Sequence, residues 1–273
     1  MKNVTSHIYE NAATAFDKQA PVFDMIYNDD TIIQYKRSRV REHVIQFLPA
    51  SSHILELNAG TGEDAIWFAN QGHTVHATDI SKGMQEVLIE KVKQNKLEES
   101  ISYELCSFTE LENLQNQGPY DFIFSNFAGL NCTDGLAKVL DSFSFLLKPN
   151  GWVTLVLLPK FCLWEFLLLF KGKFKTALRR FSGSKGAKAH IEGEHFRCWY
   201  YNPSYVKKYL KDSFDTISIE GLCTLVPPSY IQGFAEKHPW LYQFLQKKEN
   251  QLKGKWPWRN IGDYYIITLR RKD

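Results

Sequence analysis

The feature that most constrains this chain is the run ILELNAGTG at residues 54–62, an apolar stretch that ends in two glycines. A second apolar stretch follows at residues 74–79 and ends in the carboxylate of Asp79. An apolar strand, a tight glycine turn and a second strand ending in an acid together form a cleft for a nucleotide-type ligand. Glycine lets the backbone turn sharply and lets a ligand lie against it. A helix that begins near Glu63 would point its free N–H groups at that ligand.

Two classes of ligand fit this local pattern. The hexapeptide GTGEDA at residues 60–65 satisfies the loose dinucleotide pattern G-x-G-x-x-A, which alone is weak evidence. Glu63 and Asp64 place two negative charges in the first turn of the predicted helix, where they would repel a pyrophosphate. S-adenosylmethionine carries no phosphate and has a sulfonium cation, so the charges favour it over a nicotinamide dinucleotide.

A family resemblance agrees with this choice. Residues 56–62 (ELNAGTG) resemble the E-x-G-x-G-x-G signature of class I S-adenosylmethionine-dependent methyltransferases, and F-D-x-x-A-x-x-F-D at residues 16–24 is similar to a pattern of their small-molecule branch. The resemblance spans residue 16 to about 159 and returns at the last predicted strand. Asn58 stands where the family usually has its first glycine. Because asparagine tolerates unusual backbone angles better than most residues, we expect the turn to survive.

The pattern of apolar runs predicts the fold class and the division of the chain. Strands are expected at 53–57, 74–79, 101–106, 121–125, 152–158, 216–220 and 264–269, and helices at 9–20, 31–47, 82–95, 136–147 and 203–210. This alternation predicts an α/β, doubly wound, Rossmann-like sheet of seven mostly parallel strands with helices on both faces. We divide the chain into a helical cap (1–50), a cofactor-binding core (51–160), an inserted lid (161–202) and the remainder of the core (203–273), with an aromatic-rich insertion at 224–261.

Composition narrows the class of protein and its partners. With 273 residues and 44% hydrophobic content, the chain can bury the core of one domain with insertions. A net charge of +3 is too small to imply a nucleic-acid partner. Five cysteines without a C-x-x-C pair argue against a disulfide framework and a zinc site, and for a reducing compartment. The first residues lack the apolar core of a signal peptide, so we expect a cytoplasmic protein without a membrane span.

The cofactor contacts follow from strand ends and from the resemblance. Asp79 is placed to accept hydrogen bonds from a ribose diol, and it could also cap the helix that begins near Lys82. In the resembling family, the position of Glu56 supports the amino end of the methionine moiety, and Ser107 stands where an acidic residue usually faces the adenine. Ile80, Met84 and Phe127 also have ordinary core packing as an alternative. The predicted cofactor-binding residues are Glu56, Asn58, Ala59, Gly60, Gly62, Asp79, Ile80, Met84, Ser107, Phe108, Asn126 and Phe127.

Two insertions suggest how an acceptor is held. Residues 161–170 are almost all apolar and residues 171–188 are basic and glycine-rich. Their position after the fifth strand favours a lid over the substrate, with a packed surface helix or a weak membrane-surface contact through 161–188 as alternatives. The aromatic residues of 224–261 predict either a wall for a flat acceptor or ordinary core.

The chemistry predicted is methyl transfer to a small, hydrophobic or aromatic acceptor by in-line displacement. The protein must align the reacting atoms and exclude water, and it needs a general base only for a hydroxyl or ammonium acceptor. His195, flanked by Glu194 and Arg197, is the preferred base over His190, Tyr200 and Tyr201, although it could be a plain surface residue. The rival functions are a nicotinamide-dependent oxidoreductase and a noncatalytic cofactor-fold protein at a membrane surface.

Overall fold

The computed structural model describes the backbone of residues 2–273 and the side chains of residues 11–273, so Met1 of the predicted cap lies outside the described residues. Its centre is a seven-stranded sheet in the order β3-β2-β1-β4-β5-β9-β8, with the first five strands parallel and β9 antiparallel to both neighbours. The predicted fold class is confirmed. The strands of this sheet are β1 (His53–Leu57), β2 (Thr74–Asp79), β3 (Ile101–Leu105), β4 (Tyr120–Ser125), β5 (Leu147–Leu157), β8 (Phe214–Leu222) and β9 (Tyr264–Arg271).

Helices cover both faces of the sheet. One buried cluster joins β1, β4 and β5 to Leu140 of α5 and Val206 of α8, and a second cluster joins the other face to Val40 of α2, Phe68 of α3 and Leu88 of α4. No helix within the described residues is both long enough and apolar enough to cross a membrane. The helices are α1 (Lys2–Tyr27), α2 (Thr31–Val44), α3 (Glu63–Asn70), α4 (Lys82–Gln94), α5 (Leu136–Leu146), α6 (Leu163–Leu167), α7 (Phe174–Leu178), α8 (Pro203–Leu210), α9 (Phe234–Lys237) and α10 (Pro239–Leu252).

Strand order decides where a ligand can enter. The chain leaves β1 towards β2 and β3 on one side and towards β4 and β5 on the other, so a crevice opens beyond the carboxyl ends of β1 and β4. The antiparallel β9, inserted between β5 and β8, also departs from the 3-2-1-4-5-6 order that is usual for dinucleotide-binding sheets. The topology therefore argues against a nicotinamide cofactor independently of any charge.

The segment predicted as a lid has two structurally different parts. Within residues 161–186, the buried Glu165 binds Arg179 and Arg180, and Arg180 reaches Asp263 at 2.7 Å, which fixes this part to the start of β9. Cys162 lies beside these two carboxylates, a grouping that could hold a metal ion, but Arg180 already binds both acids. The second part is a hairpin of β6 (Ala187–Ile191) and β7 (Glu194–Cys198), which the sequence analysis did not predict.

The aromatic insertion is built around α10, whose buried Glu249 accepts hydrogen bonds from the backbone amides of Thr224, Leu225 and Val226. Trp240 and Phe244 stack on each other and are both exposed. Part of the aromatic content of this insertion therefore faces solvent rather than a core or a ligand.

Candidate active site

A cavity of about 410 Å³ lies at the carboxyl edge of the sheet, where strand order predicts a ligand. Eleven of the twelve predicted cofactor residues line it, and Gly62 does not. The eleven are Glu56, Asn58, Ala59, Gly60, Asp79, Ile80, Met84, Ser107, Phe108, Asn126 and Phe127.

The two glycines of the turn have different structural roles. Gly60 has φ +58°, and a Cβ added there would meet nothing within 4 Å, because it would enter the cavity. Gly62 has φ +83°, and a Cβ there would lie 2.8 Å from Cγ of Leu88. Gly60 is thus open to a ligand, whereas Gly62 allows the start of α3 to pack against α4.

Asn58 keeps the turn that the family's glycine would make, as expected. Its φ is +50°, in the left-handed region that asparagine tolerates. Its Nδ2 donates to the carbonyl of Asn126 at 2.9 Å, and its Oδ1 accepts from the hydroxyl of Ser125. The side chain also fills the space beside Gly129, where a Cβ would lie 2.3 Å from Cγ of Asn58. The larger residue in the turn is therefore accommodated by a glycine after β4.

Asp79, at the end of β2, binds the backbone of the glycine turn with its carboxylate. One carboxylate oxygen accepts from the amide of Gly60 and the other from the amide of Ser81, both at 2.8 Å. Burial raises the pKa of Asp79 above its ordinary value, although the amides of Ser81 and Gly60 oppose the rise. Each oxygen retains a lone pair that can accept a hydrogen bond from a ligand in the cavity.

Two buried ionisable side chains, one acidic and one basic, have unused hydrogen-bonding capacity in this cavity. Glu56 is 3% exposed, and its Oε2 has no partner among the described residues. Burial raises the pKa of Glu56 well above its ordinary value. Arg37 is 6% exposed and its Nε has no partner in the described part of the chain, while its Nη1 forms a long ion pair with Asp64 at 3.6 Å. A carboxyl oxygen and a guanidinium nitrogen that both lack partners along one cavity suit a ligand with an ammonium and a carboxylate, such as an amino acid.

The two acidic residues at the start of α3 are less repulsive than the sequence suggests. Glu63 forms an ion pair with Lys91. Asp64 binds Arg41 at 2.8 Å and accepts from Nδ2 of Asn126 at 2.7 Å. Because both charges are neutralised by partners, the electrostatic argument against a pyrophosphate is weaker than predicted, and strand order carries that argument instead.

Helix α1 and the β6–β7 hairpin cover the cavity. Asp17 accepts from the hydroxyl of Ser81 at 2.6 Å and from the amide of Gly83 at 2.8 Å, and Asp24 accepts from the hydroxyl of Thr61 at 2.7 Å. The two acids are seven residues apart, so they lie on one face of the helix. The residues that these two elements contribute to the cavity are Ala12, Phe16, Phe23, Tyr27 and Ile191.

The predicted catalytic residue lies elsewhere. His195 is exposed on β7, opposite His190 on β6, and neither is among the described residues that line the cavity. Tyr200 packs against Arg180, and the hydroxyl of Tyr201 donates to the carbonyl of Thr133 at 2.6 Å. Within the segment 161–202, only Ile191 lines the cavity. None of the four candidate bases is therefore among the described residues that line this cavity.

The other lining residues that the sequence did not predict include four from elements outside the glycine turn and the cover. Lys36 and Arg37 come from α2, Ser229 from the loop after β8 and Tyr264 from the start of β9. A lysine and an arginine in a polar helix look like surface residues in the sequence, and no local motif marks them as buried.

One known family and several known proteins are similar to this chain in sequence or in fold. Residues 54–151 match the family described as a methyltransferase domain. The demethylmenaquinone methyltransferase of Bacteroides fragilis is 31% identical over 150 residues, which are 54% of this chain and 60% of that protein. The chain spans between 55% and 60% of the length of the curated relatives that it matches.

Two solved structures share the fold of this chain over nearly its whole length. Burkholderia thailandensis 1,6-didemethyltoxoflavin-N1-methyltransferase, with bound 1,6-didemethyltoxoflavin and S-adenosylhomocysteine, aligns with a TM-score of 0.59 and 14% identity over 99% of this chain and 91% of that one. The (4+2)-cyclase SpnF aligns with a TM-score of 0.61 and 13% identity over 96% of this chain and 95% of that one. At these identities the likeness establishes the fold alone.

Proposed function

We propose that this chain, which belongs to the class I S-adenosylmethionine-dependent methyltransferase family, transfers a methyl group from S-adenosylmethionine to a small, hydrophobic or aromatic acceptor. The observation that carries the proposal is the pair of unsatisfied buried groups, Glu56 and Arg37, in the same cavity as Asp79. Few ligands combine an amino-acid end with a ribose, and S-adenosylmethionine does.

The donor is assigned to the cavity residue by residue. Glu56 binds the ammonium of the methionine moiety, and Arg37 binds its carboxylate, so each satisfies the group that the folded chain leaves unpaired. Asp79 accepts hydrogen bonds from the ribose diol across the open side of Gly60. Ile80 and Met84 pack on the adenosine. Ser107 already exchanges hydrogen bonds with Thr109, so backbone groups near Phe108 are better placed than its hydroxyl to bind the adenine amine.

When bound, S-adenosylmethionine supplies an electrophilic methyl group. The residues of the chain then have to hold the acceptor in line with that methyl and keep water out. Phe16, Phe23 and Tyr27 of α1 form an apolar cover suited to both tasks. Because His195 is exposed and outside the cavity, we favour an acceptor that is nucleophilic without a histidine base.

A flat ring is the acceptor class that the cavity favours. Its walls include Phe23, Tyr27, Phe108, Phe127 and Tyr264. Aromatic side chains offer ring faces for stacking on such a molecule. Demethylmenaquinone and 1,6-didemethyltoxoflavin, named in the comparisons, are likewise ring compounds, which supports the proposal for this chain.

Methyl transfer is tested with methyl-labelled S-adenosylmethionine and a panel of small aromatic acceptors, with Asp79→Ala as the matched inactive variant. Label in an acceptor product, with release of S-adenosylhomocysteine, is the expected result. Saturable donor binding with no transfer to any member of the panel would favour the noncatalytic alternative. Binding and reduction of a nicotinamide cofactor would favour the oxidoreductase.

We also propose a weak contact of residues 161–188 with an anionic membrane surface, in a protein that we expect in the cytoplasm. Phe170, Phe174 and Phe181 are 83%, 61% and 58% exposed, and Lys171 and Lys173 lie between them in sequence. Exposed aromatic rings beside cations suit the boundary between anionic headgroups and acyl chains.

The membrane contact is tested by flotation with phosphatidylcholine vesicles, with and without phosphatidylglycerol. Binding to the anionic vesicles should be lost in a Phe170→Ser, Phe174→Ser double variant. It should persist in Trp240→Ser, which removes an aromatic ring that is 76% exposed on α10. Flotation that is equal for all three proteins, or absent for the wild type, would contradict the proposal.

A further inference from the structure

Lys36 is a buried cation that the donor does not use. Its residue is 3% exposed, it lines the cavity, and no carboxylate oxygen of the described residues lies within salt-bridge distance of its Nζ. Within the described part of the chain, its Nζ donates one long hydrogen bond of 3.4 Å to the hydroxyl of Ser229. A buried ammonium with one weak hydrogen bond leaves most of its three donors unsatisfied, which is costly unless a ligand completes them.

The surroundings of Lys36 keep it charged and turn it towards the acceptor side of the cavity. Burial lowers the pKa of Lys36, but the electrostatic effects of Tyr264, Asp263, Cys223 and Asp30 together outweigh burial, so that its pKa is raised from the ordinary value. The Nζ lies 4.8 Å from the centroid of the Tyr264 ring and 6.0 Å from that of Phe127. The adjacent Arg37 faces Glu56 and Asp64, on the side assigned to the methionine moiety.

We propose that Lys36, with the hydroxyl of Ser229, binds an oxyanion on the acceptor, so that the substrate class is an aromatic compound with an acidic hydroxyl or a carboxyl group. This inference rests on the proposed function, since it assigns to the acceptor the part of the cavity that the donor leaves free. The ring of the acceptor lies among Phe127, Tyr264 and the cover from α1, and the anion ends at Nζ. A neutral hydrocarbon of the same shape would leave the ammonium buried and unpaired, so the site discriminates by charge.

The test uses two probes of the same shape, 1-naphthoate and 1-naphthamide, which differ in charge. Their dissociation constants are measured by calorimetry with and without saturating S-adenosylhomocysteine, for the wild type, Lys36→Met, Lys36→Arg and the control Lys207→Met, which removes an exposed lysine. We expect the wild type and Lys207→Met to prefer naphthoate by about tenfold or more, the size of one charge-assisted hydrogen bond. Lys36→Met should lose this preference and Lys36→Arg should keep part of it.

A second readout separates recognition from a structural role. Because Lys36→Met removes a buried charge without a paired carboxylate, its melting temperature should equal or exceed that of the wild type, and its affinity for S-adenosylhomocysteine should change by less than about twofold. The proposal is overturned if the wild type does not prefer naphthoate, or if Lys36→Met keeps the preference. Failure of the proposed function would instead appear as no binding of S-adenosylhomocysteine to the wild type, which is measured before either probe is added.

Discussion

The carboxylate of Asp79 accepts a hydrogen bond from the amide of Gly60 at 2.8 Å, which ties the end of β2 to the glycine turn after β1. Its other oxygen binds the amide of Ser81 and so fixes the start of α4. The sequence predicted a contact to a ribose, with a cap on the helix that begins near Lys82 as the other role. The structure adds a further role, because the same side chain shapes the turn against which the ligand lies.

Asp79→Ala should therefore weaken two properties at once. We expect binding of S-adenosylhomocysteine to fall by about 1.5–3 kcal/mol and the free energy of unfolding to fall by about 1–3 kcal/mol, because hydrogen bonds to a charged group are lost in each. Calorimetry and urea denaturation measure the two changes. The control is Asp121→Ala, which removes a carboxylate that accepts from the amide of His53 at the opposite end of β1. It should cost stability without changing the affinity, and unchanged affinity in Asp79→Ala would refute the ribose assignment.

The two glycines of the turn should respond differently to alanine. In Gly60→Ala the new methyl group enters the cavity at a φ of +58°, so we expect a stability loss of about 1–2 kcal/mol and loss of most ligand affinity. In Gly62→Ala the methyl group meets Leu88 at 2.8 Å, so the loss of stability should be larger than in Gly60→Ala. Thermal denaturation and calorimetry on both variants test this. Cofactor bound normally to Gly60→Ala would show that the motif had been misinterpreted.

The sequence predicted best those elements whose structure depends on residues adjacent in the chain. The bounds of β1 and β2 were predicted to the residue, because buried parallel strands form apolar runs that a glycine turn or an acid ends. The β6–β7 hairpin was missed, although apolar and polar residues alternate on both sides of Glu192 and Gly193, which both have positive φ. The basic residues of this segment favoured a loop over a hairpin in the sequence analysis.

The residues of the site show the same contrast between local motifs and long-range packing. The turn and Asp79 belong to one local motif, so the sequence located them. Lys36 and Arg37 reach the cavity only because α2 packs over the end of the sheet, and that packing joins residues far apart in the chain. The seven-residue spacing of Asp17 and Asp24 was a usable signal for a helix face that binds the core, but it was interpreted only as a family resemblance.

Binding of the ligand should change the protonation state of Glu56. Burial raises the pKa of Glu56 well above its ordinary value of 4.5, so its stabilising contribution is present below that value and is lost as pH rises through the folded-state pKa. Glu56→Gln cannot ionise and should be more stable than the wild type at neutral pH without ligand. Binding of the ammonium of S-adenosylhomocysteine favours the ionised carboxylate, so the wild type should release a proton.

Calorimetry in buffers of different ionisation enthalpy measures this proton release. It should be lost in Glu56→Gln and kept in the control Glu63→Gln, whose carboxylate lines the same cavity but already binds Lys91. The same proton release in the wild type and Glu56→Gln would contradict the assignment of Glu56 to the ammonium.

The cover of the cavity should be α1 and the hairpin rather than the whole predicted lid at 161–202, which remains a proposal. Hydrogen exchange of residues 11–27 and 187–198 should slow when S-adenosylhomocysteine binds. Residues 163–181 are fixed by Glu165, Arg180 and Asp263, so they should exchange equally with and without ligand. Protection gained only in 163–181 would restore the original lid and contradict the cover described here.

The most direct measurement of the central claim is a calorimetric titration of extensively dialysed protein with S-adenosylhomocysteine and, separately, with NADH. The unsatisfied Oε2 of Glu56 and Nε of Arg37, together with Asp79, predict saturable binding of S-adenosylhomocysteine at one site per chain and no binding of NADH. The affinity for S-adenosylhomocysteine should fall in Arg37→Met, which removes the partner of its carboxylate. Binding of NADH in place of S-adenosylhomocysteine, or no binding of either, would contradict the account.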